Sequence, residues 1–309
     1  MERSSLHPSV HPLTDLEAVG DLRRPILLAA FSGAWGATAG TALAYVIEHW
    51  GATPLAEIDA EEFFDFTATR PTVRLEDGKR LIDWPENRVY LARPPGAERD
   101  VLILAGVEPA LRWRTFANAL GSLLSALGVE DSLILSSFPG GIPHTRETPL
   151  RFHGAHDEIA ARLELTPWTP DYQGPTSFGG FLGVEHRARG LRTSALTAVA
   201  PFYIQIEPRP HALLALIRAL DRIFGTATDV TPVQEQVETV NAQAIEALAR
   251  SERYRELLAT LEQQYDATTA GAIEAVALDA DEILRDVEAF FAPRDDVSGP
   301  GAGRTTQHG

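Results

Sequence analysis

Apolar positions along the chain alternate between two patterns. Near-continuous apolar runs at 24–31, 100–106 and 129–137 read as strands covered on both faces, which lose the in–out alternation of a half-exposed strand. Between the last two, Trp113, Phe116, Leu120, Leu123 and Leu127 recur at helical spacing and predict a helix over 112–127 with one apolar face. Residues 100–151 therefore form a βαβ unit. Its second strand is expected to end at Ser137, before the loop Phe138-Pro-Gly-Gly-Ile-Pro-His-Thr-Arg146. Open α/β sheets hold ligands at that strand edge.

The same reading extends in both directions. The strand at 24–31 leads through Ser32-Gly-Ala-Trp-Gly-Ala-Thr-Ala-Gly40 into a helix ending near Trp50. A short strand is predicted at 53–59, an aromatic cluster at Phe63, Phe64 and Phe66, a hairpin over 72–84 turning at Asp77-Gly78, and a strand at 88–92. A loop rich in proline and glycine, 166–177, precedes a helix from Phe178 to about Arg189, a strand at 192–199, and an apolar helix from Pro210 to Phe224. The class is α/β.

From Thr231 the pattern changes to amphipathic helices alone. Val233, Val237, Val240, Ala244, Ile245 and Leu248 make one stripe; Tyr254, Leu257, Leu258, Leu261 and Tyr265 make a second. Ile283, Leu284, Val287, Phe290 and Phe291 mark a third. The expected organisation is a mobile arm at 1–22, an αβ domain at 23–228, a small all-α domain at 229–292 and a disordered tail at 293–309.

Composition narrows the function classes. The 309 residues carry 27 basic against 43 acidic side chains, a net charge of −16. Such a chain repels phosphate backbones and anionic lipid, so neither nucleic acid nor membrane is an expected partner. With no cysteine there is no disulfide, thiolate nucleophile or cysteine metal site. Lys79 is the only lysine and sits in the hairpin turn, which leaves lysine-dependent phosphate or Schiff-base chemistry one poor candidate. No cofactor is expected. Residues 1–22 are polar and do not read as a signal peptide, and no apolar run approaches the roughly 20 residues that span a bilayer. Cytoplasmic residence is the expectation.

Several residues could carry chemistry, each with a structural alternative. Gly33 and Gly36 let backbone approach closely at a helix start, where free N–H groups attract anions, but they fit neither nucleotide-binding glycine spacing and suit tight helix packing equally. Glu108, at a strand's carboxyl end before Pro109, is either a helix-start carboxylate or a site acid or base. His144, Thr145 and Arg146 could hold an anion together, or form a loop braced by its own hydrogen bonds. Thr176 and Ser177 cap the following helix, whose amino end is a second anion position. His153 and His156 have an H-x-x-H spacing near Asp157, too little for a zinc site, and no metal is expected.

Taken together, Phe31-Ser-Gly-Ala-Trp-Gly36, Gly106-Val-Glu-Pro109, Trp113 with Phe116, Pro143-His-Thr-Arg146, Gly174-Pro-Thr-Ser177 and Pro208-Arg-Pro210 resemble the PAC2 (proteasome assembly chaperone 2) family over residues 24–250, in the form found in high-GC bacteria. The resemblance implies a three-layer αβα sandwich of the phosphorylase/hydrolase-like kind and a homotrimer. Eukaryotic relatives help assemble the proteasome core. Relatives that dock on proteasome rings do so through a terminal hydrophobic–tyrosine–any motif; this chain ends Thr305-Thr-Gln-His-Gly309, so docking by that route is not expected.

Two functions follow. The first is a non-enzymatic, homotrimeric assembly or scaffold protein that binds a further, unidentified protein. The second is a phosphate- or nucleoside-like small-molecule site, phosphorolytic or hydrolytic, built from the backbone near Gly33 and Gly36, Glu108 as acid or base, and His144 with Arg146 on the anion. Convergence of Glu108, His144 and Arg146 on one pocket separates the two.

Overall fold

Strands with apolar residues at every position need helices on both sides, and they receive them. The computed structural model describes residues 6–32 and 37–267. In chain order its elements are β1 (Val10–Pro12), β2 (Ile26–Ser32), α1 (Ala37–His49), β3 (Thr53–Ile58), β4 (Thr72–Glu76), β5 (Lys79–Asp83), β6 (Asn87–Ala92), β7 (Val101–Val107), α2 (Trp113–Ala126), β8 (Asp131–Gly140), β9 (Leu150–Gly154), α3 (Asp157–Leu163), α4 (Phe178–Ala188), β10 (Arg192–Pro201), α5 (Pro210–Phe224), α6 (Thr231–Arg250) and α7 (Glu252–Ala267). One eight-stranded sheet runs β1-β3-β6-β7-β2-β8-β10-β9, and β4 pairs with β5 as a separate hairpin.

The central strands β7, β2, β8 and β10 are parallel. The flanking strands β6, β3 and β1 on one side, and β9 on the other, each pair antiparallel with their neighbours. Within β2, Ile26, Leu28 and Ala30 pack towards α1 and α5, while Leu27, Ala29 and Phe31 pack towards α2 and α4. The strand period of two thus serves two separate cores, giving the three-layer αβα arrangement.

Charged groups pin the amino ends of the parallel strands. Asp131, at the start of β8, is 5% exposed. Its carboxylate takes Arg192 Nε at 2.7 Å and Nη2 at 2.8 Å, pairs with Arg99, and lies 3.3 Å from His156 Nε2. Burial alone would raise its pKa; the hydrogen bonds and charges of Arg192 and Arg99 hold it below the ordinary carboxylate value. Nearby, Asp100 is buried and accepts Arg23 Nη2 at 2.7 Å and the Arg23 backbone N–H at 3.0 Å.

Three local expectations change. Val10–Pro12, inside the stretch that reads as a mobile arm, is the edge strand β1, paired to β3 with Val10 buried. Its three residues, the last of them Pro12, are too few to show an alternation. β8 continues to Gly140 because β10 pairs with it as far as Pro201↔Gly140, so the loop begins three residues later than Ser137 suggests. β9 and α3 emerge from a stretch where Arg151, His153 and Asp157 interrupt the apolar pattern.

The helical segment packs onto the rest. Val233 of α6 joins the core beneath α1 and α5. Val240, Ala247, Tyr254, Leu257 and Leu261 form a third cluster with Tyr203 and Ile204, the residues just after β10. Ile245, read from sequence as part of the apolar stripe, is exposed. The expected third helix and tail lie outside the described residues, as do Gly33 and Gly36.

Candidate functional site

Glu108 follows β7 directly. Its backbone N–H donates to Ser32 O at 3.0 Å, which carries the β2–β7 pairing one residue further. Its side chain then crosses to α4: Glu108 Oε1 accepts the Phe178 N–H at 2.7 Å, and Ser177 Oγ accepts the Gly180 N–H at 3.2 Å. A carboxylate at a helix start satisfies an otherwise free N–H and meets the positive end of the helix dipole. Glu108 is thus a helix-start carboxylate, but of α4 and not of the adjacent α2. Gly106 of the same motif makes room for Asn87, since a Cβ there would overlap Asn87 Oδ1. Glu108→Ala should destabilise the fold by about 1 kcal/mol, read as a lower denaturant midpoint at unchanged m.

Above this cap lies a cavity of about 470 Å³ lined by Glu108, Ser136, His153, Thr176, Ser177, Arg187 and Thr197. Ser136 and Thr197, on neighbouring strands, share a hydrogen bond of 2.7 Å. Phe31 lines the cavity and meets Phe178 edge-on at 4.8 Å. Burial, and then the charge of Arg187, lower the His153 pKa. The anion position expected at Thr176 and Ser177 is filled by the chain's own Glu108.

The Pro143–Arg146 loop is elsewhere. His144 is buried; Tyr203 Oη accepts its backbone N–H at 2.8 Å and lies 2.8 Å from its Nδ1. Arg146 turns outward to α7, its Nε and Nη2 reaching Asp266 at 2.9 and 2.8 Å and its Nη1 reaching Glu262 at 3.3 Å. Thr145 Oγ1 donates to the same Glu262, and Tyr265 Oη donates to Glu147 O at 2.8 Å. His144, Thr145 and Arg146 border a second cavity of about 400 Å³ against α5 and α6. Glu108 does not line it, so the three candidate catalytic residues do not meet. The sequence trio is divided: its histidine anchors the core and the other two residues fasten α7.

His153 and His156 are likewise separated. His153 lines the large cavity beside the Trp168 ring, at 5.9 Å, whereas His156 Nδ1 lies 2.7 Å from Ser194 Oγ with Asp131 on its other side. Among the described residues no three metal-binding side chains gather. Tyr203, Glu262 and Asp266 were the residues sequence reading passed over. Glu262 and Asp266, four apart beside the Leu258–Leu261–Tyr265 stripe, were the available signal for a basic group facing α7.

A family model for PAC2 matches residues 27–249. The chain belongs to the PAC2 family. The PAC2 chain is similar to several solved structures. A PAC2 family protein from Streptomyces avermitilis is 33% identical, with 76% of this chain and 99% of that one covered, at a TM-score of 0.67. A proteasome-assembly chaperone homologue from Mycobacterium tuberculosis is 31% identical, with 75% and 99% covered, at 0.65. A Corynebacterium glutamicum protein of unknown function is 25% identical, with 85% and 96% covered, at 0.71. No curated protein matches. Among the described residues no helix is long and apolar enough to cross a membrane.

Proposed function

We propose that this PAC2 protein is a homotrimeric, non-enzymatic assembly factor of the chaperone-like kind, acting in the cytoplasm on another protein. The observation that carries the reading is the use made of the Pro143–Arg146 block. Its Arg146 fork grips Asp266 and Glu262 of α7, so this segment fastens the helices from residue 229 onwards to the αβ body. Likeness to a proteasome-assembly chaperone homologue points the same way. The phosphorolytic or hydrolytic reading needs Glu108 beside His144 and Arg146, which border different cavities.

The hairpin β4–β5 supplies the self-association surface in this proposal. Val73 pairs with Ile82 and Leu75 with Arg80, so Val73, Leu75 and Ile82 share one face with Arg80, and Trp84, just after β5, packs edge-on against Phe66. Val73, Leu75, Ile82 and Trp84 are 48%, 75%, 54% and 53% exposed. On the opposite face Arg74 pairs with Glu76 at 2.6 Å and Asp83 at 2.9 Å. A two-stranded hairpin gains little stability by itself, and a contiguous exposed apolar face marks an interface. Residues 70–84 hold Arg70, Arg74, Lys79 and Arg80 against Glu76, Asp77 and Asp83, on a chain of net charge −16; a second copy of this acidic chain is the complementary occupant.

Sedimentation of the wild type should give a mass near three times the 33.6 kDa chain, and the double variant Leu75→Asp, Ile82→Asp should give one chain mass with an unchanged circular dichroism spectrum. A monomeric wild type contradicts the trimer. A variant that remains trimeric removes the hairpin from the interface.

A further inference from the structure

The larger cavity, over β8 and β10 beside α4, is lined by two opposite charges that do not meet each other. Glu108 is half-buried at its wall. Its Oε1 caps α4 through Phe178, whereas its Oε2 has no hydrogen bond among the described residues. Arg187, on the same wall, is exposed and makes no ion pair among the described residues. Its Nη1 lies 3.8 Å from where a Gly183 Cβ would stand, so the guanidinium folds back along α4. From Phe178 to Gly183 the helix advances about 7.5 Å, which holds the carboxylate and the guanidinium apart.

The surface between them is polar but uncharged. Gly179, Gly180 and Gly183 present α4 backbone in place of side chains and leave the space open. Ser136 and Thr197 are half-buried, and their mutual bond of 2.7 Å uses one of two hydroxyl protons, so one donor remains for a guest. The other hydroxyls at the wall are engaged within the fold. Thr176 donates to Ser177 O at 3.3 Å, Ser177 accepts from Gly180, Thr193 bonds Ser132 at 3.0 Å, and Ser194 accepts the His156 N–H at 3.1 Å. Burial, then Arg187, lower the His153 pKa from 6.5, so its ring adds no further charge at pH 7. A volume of about 470 Å³ suits a small molecule.

We propose that this cavity binds a dipeptide of small residues. Its ammonium sits on Glu108 Oε2, its carboxylate on Arg187, and its central amide against the Ser136–Thr197 hydroxyls. A free amino acid carries both charges on one carbon and cannot reach both groups, whereas two extended residues span up to about 7 Å. Phosphate would meet Arg187 but face the Glu108 carboxylate, and a simple amine would leave Arg187 unmatched. Binding involves no chemical step and is separate from the hairpin surface.

Calorimetric titration of the full chain with L-alanyl-L-alanine tests this, beside its N-acetyl form, its carboxyl-terminal amide and free L-alanine. The expected result is one saturable dipeptide site per chain, with each of the other three probes at least tenfold weaker. Each charge variant should erase one preference only. Arg187→Ala, at an exposed position, should bind the dipeptide and its amide alike. Glu108→Gln, which keeps an oxygen for the Phe178 N–H, should bind the dipeptide and its N-acetyl form alike. A general loss of structure would not separate the probes in this way. Absence of saturable dipeptide binding, equal wild-type affinity for either blocked form or for alanine, or variants that keep both preferences would overturn the proposal.

Discussion

Asp131→Asn should be among the most destabilising single substitutions in the fold, by about 3–5 kcal/mol. The asparagine keeps the shape but removes the charge that Arg99 and Arg192 share. Arg99 is the reason the effect is large: its side chain is only 11% exposed, so its charge would be left buried without a counterion. Arg192 is a built-in comparison. It is 48% exposed and has Glu158 at 3.5 Å as a second partner. Arg192→Ala should therefore cost closer to about 1 kcal/mol, as half-exposed pairs do. Denaturant unfolding of both variants beside the wild type measures the contrast. Equal effects would mean that the staple at the strand amino ends is not organised around Arg99.

Acid should weaken the fold well before its carboxylates titrate. His144 and His186 are both buried, and each has its pKa pushed down to about 4. For His144 the causes are burial and then His211, with Glu262 opposing; for His186 they are burial and then Arg189 and Arg187. In the unfolded chain both titrate near 6.5. Between those values the unfolded chain binds more protons, so stability is complete above about pH 6.5 and falls as pH drops towards 4. Each histidine contributes about 3 kcal/mol across that window. His153, His156 and His211 are lowered in the same sense and add to it. Asp131 and Asp100, whose pKa values are also lowered, lose their contribution only below about pH 4. Denaturant midpoints at pH 7, 6 and 5 should decline steadily. A flat profile over that range contradicts neutral burial of His144 and His186.

Sequence and structure agree best where a single period carried the information. The runs that became β2, β7 and β8 are apolar at every position because α1 and α5 cover one face and α2 and α4 the other. The βαβ core and the hairpin at Asp77-Gly78 followed from such local patterns. The site did not, because its decisive contacts join residues far apart in the chain. Glu108 stands next to Pro109 and reads as the cap of the helix that follows, yet it caps α4 through Phe178. Arg146 reads as an anion holder until Asp266 and Glu262 are seen to have taken its guanidinium. His144 reads as a titratable site group until Tyr203 is found against it. In each case the residue type was informative and the partner was invisible, since no local pattern encodes which helix returns to which loop. The edge strand β1 was lost for a different reason: three residues, the last a proline, show no alternation.

The central claim is that this PAC2 protein works by holding another protein. Its most direct test is native mass spectrometry of the complex isolated, under gentle conditions, from cells producing the tagged chain at its natural level. The account predicts a trimer carrying a second protein in fixed stoichiometry. Repeated recovery of the trimer alone would contradict it.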